Sequence, residues 1–205
     1  MNTQSLAGTF ASISRLIEAN REYLIELDQQ NGDGDLGISM AVGFKAVSDY
    51  LASAEENDLG KLFMKSSITF NEAAPSSLGT ILSIGLLGMA KALKGKENAT
   101  ISEISTAMEA GINAIMEKAK SKPGEKTILD ALCPAVEVLK NAGGMDEKTV
   151  WAKTAEAAAQ GSESTRAMKS VHGRAAYYGE KSIGILDGGS VVGRLIFEGI
   201  YACCN

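Results

Sequence analysis

Apolar residues recur along this chain at helical spacing, and few runs alternate in the manner of strands. Ile13, Leu16, Ile17, Leu24 and Leu27, with Asn20 among them, fall near one face of a first helix. A second helix is predicted after Gly37, carrying Met40, Phe44, Val47 and Leu51. Six more are predicted at 59–70, 78–93, 101–119, 127–142, 147–165 and 189–202. The segment 78–93 is nearly all apolar and is therefore expected to be central. Short connections between amphipathic or buried helices are what a multi-helix bundle requires. No internal repeat or low-complexity linker interrupts the pattern, so the expectation is one all-helical domain over 1–205.

Composition agrees with this. Alanine, leucine, glutamate and lysine are plentiful, and the only prolines are Pro75, Pro123 and Pro134. A net charge of −5 and a pI near 5.1 argue against a nucleic-acid partner, which needs a basic face. Cys133, Cys203 and Cys204 are too few and too badly spaced for a disulfide framework or a zinc site. The first residues lack the basic start and apolar stretch of a signal peptide, and no apolar run approaches the roughly 20 residues of a membrane span. A cytoplasmic protein without membrane partners is expected. The 22 glycines are many for a helical chain and gather between the predicted helices, where turns, close approach to a ligand or helix capping would use them. Capping is the reading for Gly143 and Gly144.

The most informative stretch is Leu27-Asp28-Gln29-Gln30-Asn31-Gly32-Asp33-Gly34-Asp35-Leu36-Gly37. Three carboxylates lie within eight residues, and the glycines let the backbone fold them inward. Carboxylates are the preferred ligands of hard cations, and magnesium completes its shell with water and substrate phosphates. The loop also spells G-x-G-x-x-G, but it follows a helical pattern rather than a strand, and its aspartates would repel a pyrophosphate without intervening metal. An EF-hand beginning at Asn31 would need glycine in place of Leu36 and glutamate in place of Val42. The plain structural alternative is a solvated turn whose aspartates cap the next helix.

Other stretches say less alone. Pro123-Gly124-Glu125-Lys126-Thr127 is like the end of a Walker motif, without its earlier glycine or preceding strand, and reads as a turn into a helix. Gly173-Arg174-Ala175-Ala176-Tyr177-Tyr178-Gly179-Glu180-Lys181-Ser182 gathers cations and glycines. Arg174 in it could grip phosphate with its planar fork or simply form a surface ion pair. His172 is the only histidine, and no orienting partner for it is visible in the sequence.

Together and in order, these stretches resemble the L subunits of dihydroxyacetone kinases. That family carries an LD…GDGD-x-G loop, a PGDKT-x-x-D segment and a GRA-x-Y-x-GERSIG-x-x-D-x-G segment. Here they read LDQQNGDGDLG at 27–37, PGEKTILD at 123–130 and GRAAYYGEKSIGILDGG at 173–189. The resemblance covers nearly the whole chain and implies an eight-helix antiparallel barrel with a nucleotide site at one end. It further implies that Asp28, Asp33 and Asp35 hold two magnesium ions bridging the phosphates of ADP or ATP. Leu36, Gly37, Ile38 and Ser39, opening the next helix, would approach the phosphates, as the free amides of a helix N-terminus favour. Ser76 and Ser77 would act as further donors, Arg174 with Asp187, Gly188 and Gly189 would flank the nucleotide, and Ile128 would wall the base. In the family the short ketose sits on a histidine of a separate K-type subunit. No catalytic residue beyond metal and phosphate ligands is therefore expected in this chain, and the chemistry is phosphoryl transfer. The phosphoryl source would be free ATP or a phosphotransferase-system protein recharging bound ADP.

Three departures stand out. The family's glycine- and serine-rich loop before the fourth helix is replaced by Asn71-Glu72-Ala73-Ala74-Pro75-Ser76-Ser77, which has fewer glycines and places the charge of Glu72 nearby. Leu36 stands where the family usually has histidine, and Asp187-Gly188-Gly189 where it has DPG. The changes leave room for an alternative, a non-catalytic regulatory module that keeps the fold, and for a paralogue acting on another short ketose. A lone phosphatase lacks an evident base for water.

Overall fold

In the computed structural model, which describes residues 1–204, every regular element among the described residues is a helix. It forms nine α-helices: α1 (Thr3–Ala19), α2 (Arg21–Asp28), α3 (Leu36–Ala52), α4 (Leu59–Ala73), α5 (Ser77–Ala92), α6 (Ile101–Ala119), α7 (Leu129–Lys140), α8 (Glu147–Ser164) and α9 (Gly188–Cys203). Two 3-10 segments, Thr165–Ala167 and Arg174–Ser182, lie between α8 and α9. The count exceeds the expected eight because the first helix is divided at Asn20. The Asn20 backbone takes φ −104° and ψ 10°, and its side-chain amide donates to the Leu16 carbonyl at 2.8 Å, so the chain turns there.

Side-chain caps explain where most helices begin. Asn2, Asp58, Ser76, Thr100, Asp146 and Asp187 each accept an N–H from the first turn of the helix they precede. Such caps stabilise by about 1 kcal/mol each. At the far end of α7 the cap is Asn141 rather than the expected glycine pair. Gly144, at φ +81°, shapes the turn that follows.

The main helices form a ring. α3 packs on α1, each later helix packs on its predecessor, and α9 returns to α1. Connections this short make neighbours antiparallel. The loops 29–35, 74–76, 120–128 and 165–187 consequently gather at one end. At the other end the amino terminus donates to the Ala99 carbonyl and Leu59 N–H to the Lys96 carbonyl.

Inside the ring Leu6, Ile17, Leu24, Met40, Leu62 and Leu195 are fully buried, and the Phe44 and Phe70 rings meet edge to face at 5.0 Å. An apolar cavity of about 120 Å³ remains beside these rings, bordered by Phe10, Phe63, Gly85 and Gly111. No helix among the described residues is long and apolar enough to cross a membrane.

Candidate functional site

The acidic loop folds inward as its glycines allow. α2 ends at Asp28, whose carboxylate accepts the Gly34 N–H at 2.8 Å, while its carbonyl accepts the Gly32 N–H at 2.6 Å. A side chain at Gly32 would collide with the Asp28 carboxylate, and Gly34 takes φ +79°, so both positions need glycine. Carboxylate oxygens of Asp28, Asp33 and Asp35 consequently lie within 4.8 Å of one another, an arrangement that could hold a cation. Asp35 is the N-cap residue of α3, yet its side chain makes no capping bond, unlike the aspartates at 58, 146 and 187. The capping expected of a plain turn is therefore absent at α3, while Asp33 and Asp35 are exposed to solvent. Burial, then the neighbouring Asp33 and Asp28, push the Asp35 pKa up, with Arg174 opposing.

The carboxylates border a basin of about 670 Å³. Leu36 of α3, Ser76 and Ser77 of α5, and Asp187, Gly188 and Gly189 of α9 border it too, so three helix N-termini open on the same space. Helix N-termini carry free amides and partial positive charge, which suits phosphate. The altered 71–77 stretch does not block the basin. α4 runs on to Ala73, Asn71 and Pro75 border the space, and Glu72 is exposed without bordering it. The Ser39 hydroxyl donates to Ser76 Oγ at 2.6 Å and ties the starts of α3 and α5 together.

Beside the basin lies a second, largely apolar cavity of about 490 Å³. Leu78, Ile81 and Ile84 of α5 border it, with Ile115 and Ala119 of α6 and Ile128. This corrects the expectation that α5 is central: it is one member of the ring, and part of its surplus apolar surface faces this cavity. Ser77, Leu78, Thr80, His172, Gly173, Asp187 and Gly189 border both spaces and mark the junction.

The loop before α7 is organised by Asp130, whose buried carboxylate accepts the N–H groups of Gly124 at 2.6 Å and Thr127 at 2.7 Å. Lys126, only 3% exposed and at φ +61°, does not behave as a Walker lysine. Its ammonium donates to the carbonyls of Met168, Ser182 and Ile185 at 3.1, 2.6 and 2.6 Å. Burial lowers its pKa, while Asp187 works the other way.

Asp187 caps α9 by accepting Ser190 N–H at 2.6 Å, and its own N–H donates to Thr165 Oγ1. Burial pushes its pKa up to about 7, with Asp130 and Asp28 adding to the rise against the Ser190 bond and Lys126. A carboxyl whose folded pKa is raised contributes stability at low pH that is lost as pH climbs through that pKa. In metal-free buffer Asp187→Asn, which keeps the cap, should therefore gain in Tm over the parent between about pH 4 and about pH 7 and hold the gain above. Thermal melts across that range check this; a difference independent of pH would contradict it.

The structure thus brings together Asp28, Asp33, Asp35, Leu36, Ser76, Ser77, Arg174, Asp187, Gly188 and Gly189 around the basin, with Ile128 in the adjoining cavity. Gly37 and Ile38 border neither. Gly37 is packed against the Arg21 carbonyl of α2, and Ile38 is 47% exposed. Ser39 reaches the basin only through Ser76. Arg174 pairs with Asp33 at 2.6 Å, joining two motifs separated by most of the chain. His172 does have a partner, Glu125, at 2.6 Å.

An all-helical ring with a cation-competent acidic basin at one end is the class of protein that fold and site define. The chain belongs to the DAK2 domain family, whose model matches residues 30–202. It is 33% identical over 182 residues to the PEP-dependent dihydroxyacetone kinase 1, ADP-binding subunit DhaL, of Listeria innocua, covering 89% of this chain and 87% of that one. It is 29% identical to the corresponding ADP-binding subunit of Escherichia coli, covering 85% and 84%. The fold also matches the crystal structure of the dihydroxyacetone kinase from C. freundii in complex with AMP-PNP and Mg2+, with a TM-score of 0.75 at 21% identity. That match covers 96% of this chain, which spans about a third (33%) of the solved one.

Proposed function

We propose that this chain is the nucleotide-binding subunit of a dihydroxyacetone-type kinase, a phosphotransferase acting on a short ketose held by a separate K-type subunit. The observation that carries the reading is the convergence of three carboxylates and three helix N-termini on one basin, next to an apolar cavity sized for a base. ADP or ATP would lie across the junction. Its base would pack against Ile128, Leu78 and Ile81, and its phosphates would face the N-termini of α3, α5 and α9 with Ser76 and Ser77 as donors. Asp28, Asp33 and Asp35 would hold magnesium, two ions in the full reading, which neutralises charge on the transferring phosphoryl group. Arg174, which pairs with Asp33 and borders the basin, would donate to a phosphate there. The chain's own task is to position these groups, while the γ-phosphoryl passes to a ketose hydroxyl and ADP remains. Relatives named as PEP-dependent support a phosphotransferase-system protein as the donor that recharges bound ADP.

Calorimetric titration of the purified chain with ADP, with and without magnesium, tests the site. Binding should weaken by about tenfold or more when magnesium is withdrawn, since the phosphates would then meet bare carboxylates. Absence of binding under both conditions would overturn the assignment in favour of a regulatory module that keeps the fold.

A further inference from the structure

The segment joining α8 to α9 crosses the junction between the two cavities. His172 and Gly173 border both, and Arg174 and Ala175 border the basin. It is built of 3-10 turns rather than α-helix, with left-handed glycines at 173, 179 and 184, and Tyr177 at its outer edge is 91% exposed. Its two ends are secured from beneath. Lys126 binds the carbonyls of Met168, Ser182 and Ile185, and Gly184 N–H donates to the Arg166 carbonyl.

The middle of this strap reaches the rest of the molecule through two side-chain pairs. One is Arg174 with Asp33, a residue assigned above to metal. The other is His172 Nε2 with Glu125 Oε2 at 2.6 Å, and it involves no metal ligand. This second pair is partly shielded, with the two side chains 34% and 20% exposed. Glu125 is held in place, because the same carboxylate oxygen accepts Lys122 N–H at 3.0 Å. The histidine bond, followed by the Lys122 bond, holds the Glu125 pKa below the usual carboxylate range. Glu125 borders neither cavity, whereas His172 borders both.

We propose that the Glu125–His172 pair latches this strap over the bound nucleotide and sets how long the nucleotide stays. The inference rests on the nucleotide reading of the site and assigns both side chains as positioning residues. With the latch closed, the strap is pinned at its middle as well as at its ends, and the exit past His172 and Gly173 is narrowed. Breaking it leaves the middle to the Arg174–Asp33 pair, without removing a phosphate or metal ligand. The effect should therefore fall on dissociation far more than on association. A latch of this kind would favour keeping the nucleotide as a resident coenzyme over exchanging it at each turnover.

The test is stopped-flow release of a fluorescent ADP analogue from the full chain in magnesium, chased with unlabelled ADP. Glu125→Ala should release about tenfold faster, with the association rate changed by less than about twofold. His172→Ala should act in the same direction, and the double variant should be no faster than the faster single, because both remove one bond. Glu125→Gln, which keeps an acceptor for the imidazole, should fall between the parent and Glu125→Ala and serves where the alanine variant melts early. Unchanged release from folded Glu125→Ala or Glu125→Gln, or additive effects in the double variant, would overturn the latch while leaving the nucleotide site standing. Failure of the parent chain to take up the analogue at all would overturn both.

Discussion

Replacing Asp33 by asparagine is expected to abolish magnesium-dependent nucleotide binding, and with it phosphoryl transfer in the presence of the sugar-binding partner. Asp33 is one of three carboxylates whose oxygens lie within 4.8 Å, and magnesium uses few carboxylates, so losing one charge removes much of the site's grip. A loss of more than about a hundredfold in affinity is expected, because changing a group that only supports a metal ligand already costs about 10–100-fold. The residue is exposed, and its side chain pairs with Arg174, itself largely exposed. The fold should therefore be unaffected. Circular dichroism checks that helix content is intact, and calorimetry with ADP and magnesium reads the loss. Full activity in this variant would sink the metal assignment.

The second large effect is expected at Lys126. Lys126→Met keeps the apolar stem but leaves three carbonyls, of Met168, Ser182 and Ile185, without the ammonium they share. Hydrogen bonds to a charged donor contribute about 1.5–3 kcal/mol each and are not additive, so a net loss of about 3 kcal/mol is reasonable. In a domain of this size that lowers Tm by about 6–12 °C. The same change should weaken nucleotide binding, because the ends of the strap lose their anchor. Lys126→Arg should not restore stability, since a planar guanidinium cannot reproduce an ammonium's three-way donation in a buried cage. Thermal denaturation of the three proteins measures this, and a Tm within about 2 °C of the parent would show that the cage contributes little.

Much of this was readable from particular residues. Helical periodicity placed most elements within a few positions, because an amphipathic stripe is a local consequence of burying one face. The clustering of Asp28, Asp33 and Asp35 was legible because interleaved glycines let so short a loop fold its carboxylates together. The break at Asn20 was not legible, since Leu24 and Leu27 continue the apolar face and the turn depends on an asparagine bonding back to Leu16. The apolar character of α5 was visible but misattributed to a central position. Its surplus serves a cavity wall, and a sequence cannot separate a helix buried by protein from one that lines a pocket.

By itself the sequence determined the all-helical class, the positions of most helices through their apolar periodicity, and the family through three ordered motifs. All of these depend on interactions over a few residues or on local composition. Only the tertiary structure decided that Gly37 serves packing against α2, that Ile38 faces outward, that Lys126 binds carbonyls rather than a phosphate, and that His172 meets Glu125. These outcomes depend on which loops the closing ring brings to one end. Contacts between residues 47 or 56 apart are set by the packing of whole helices, which no short stretch of chain encodes.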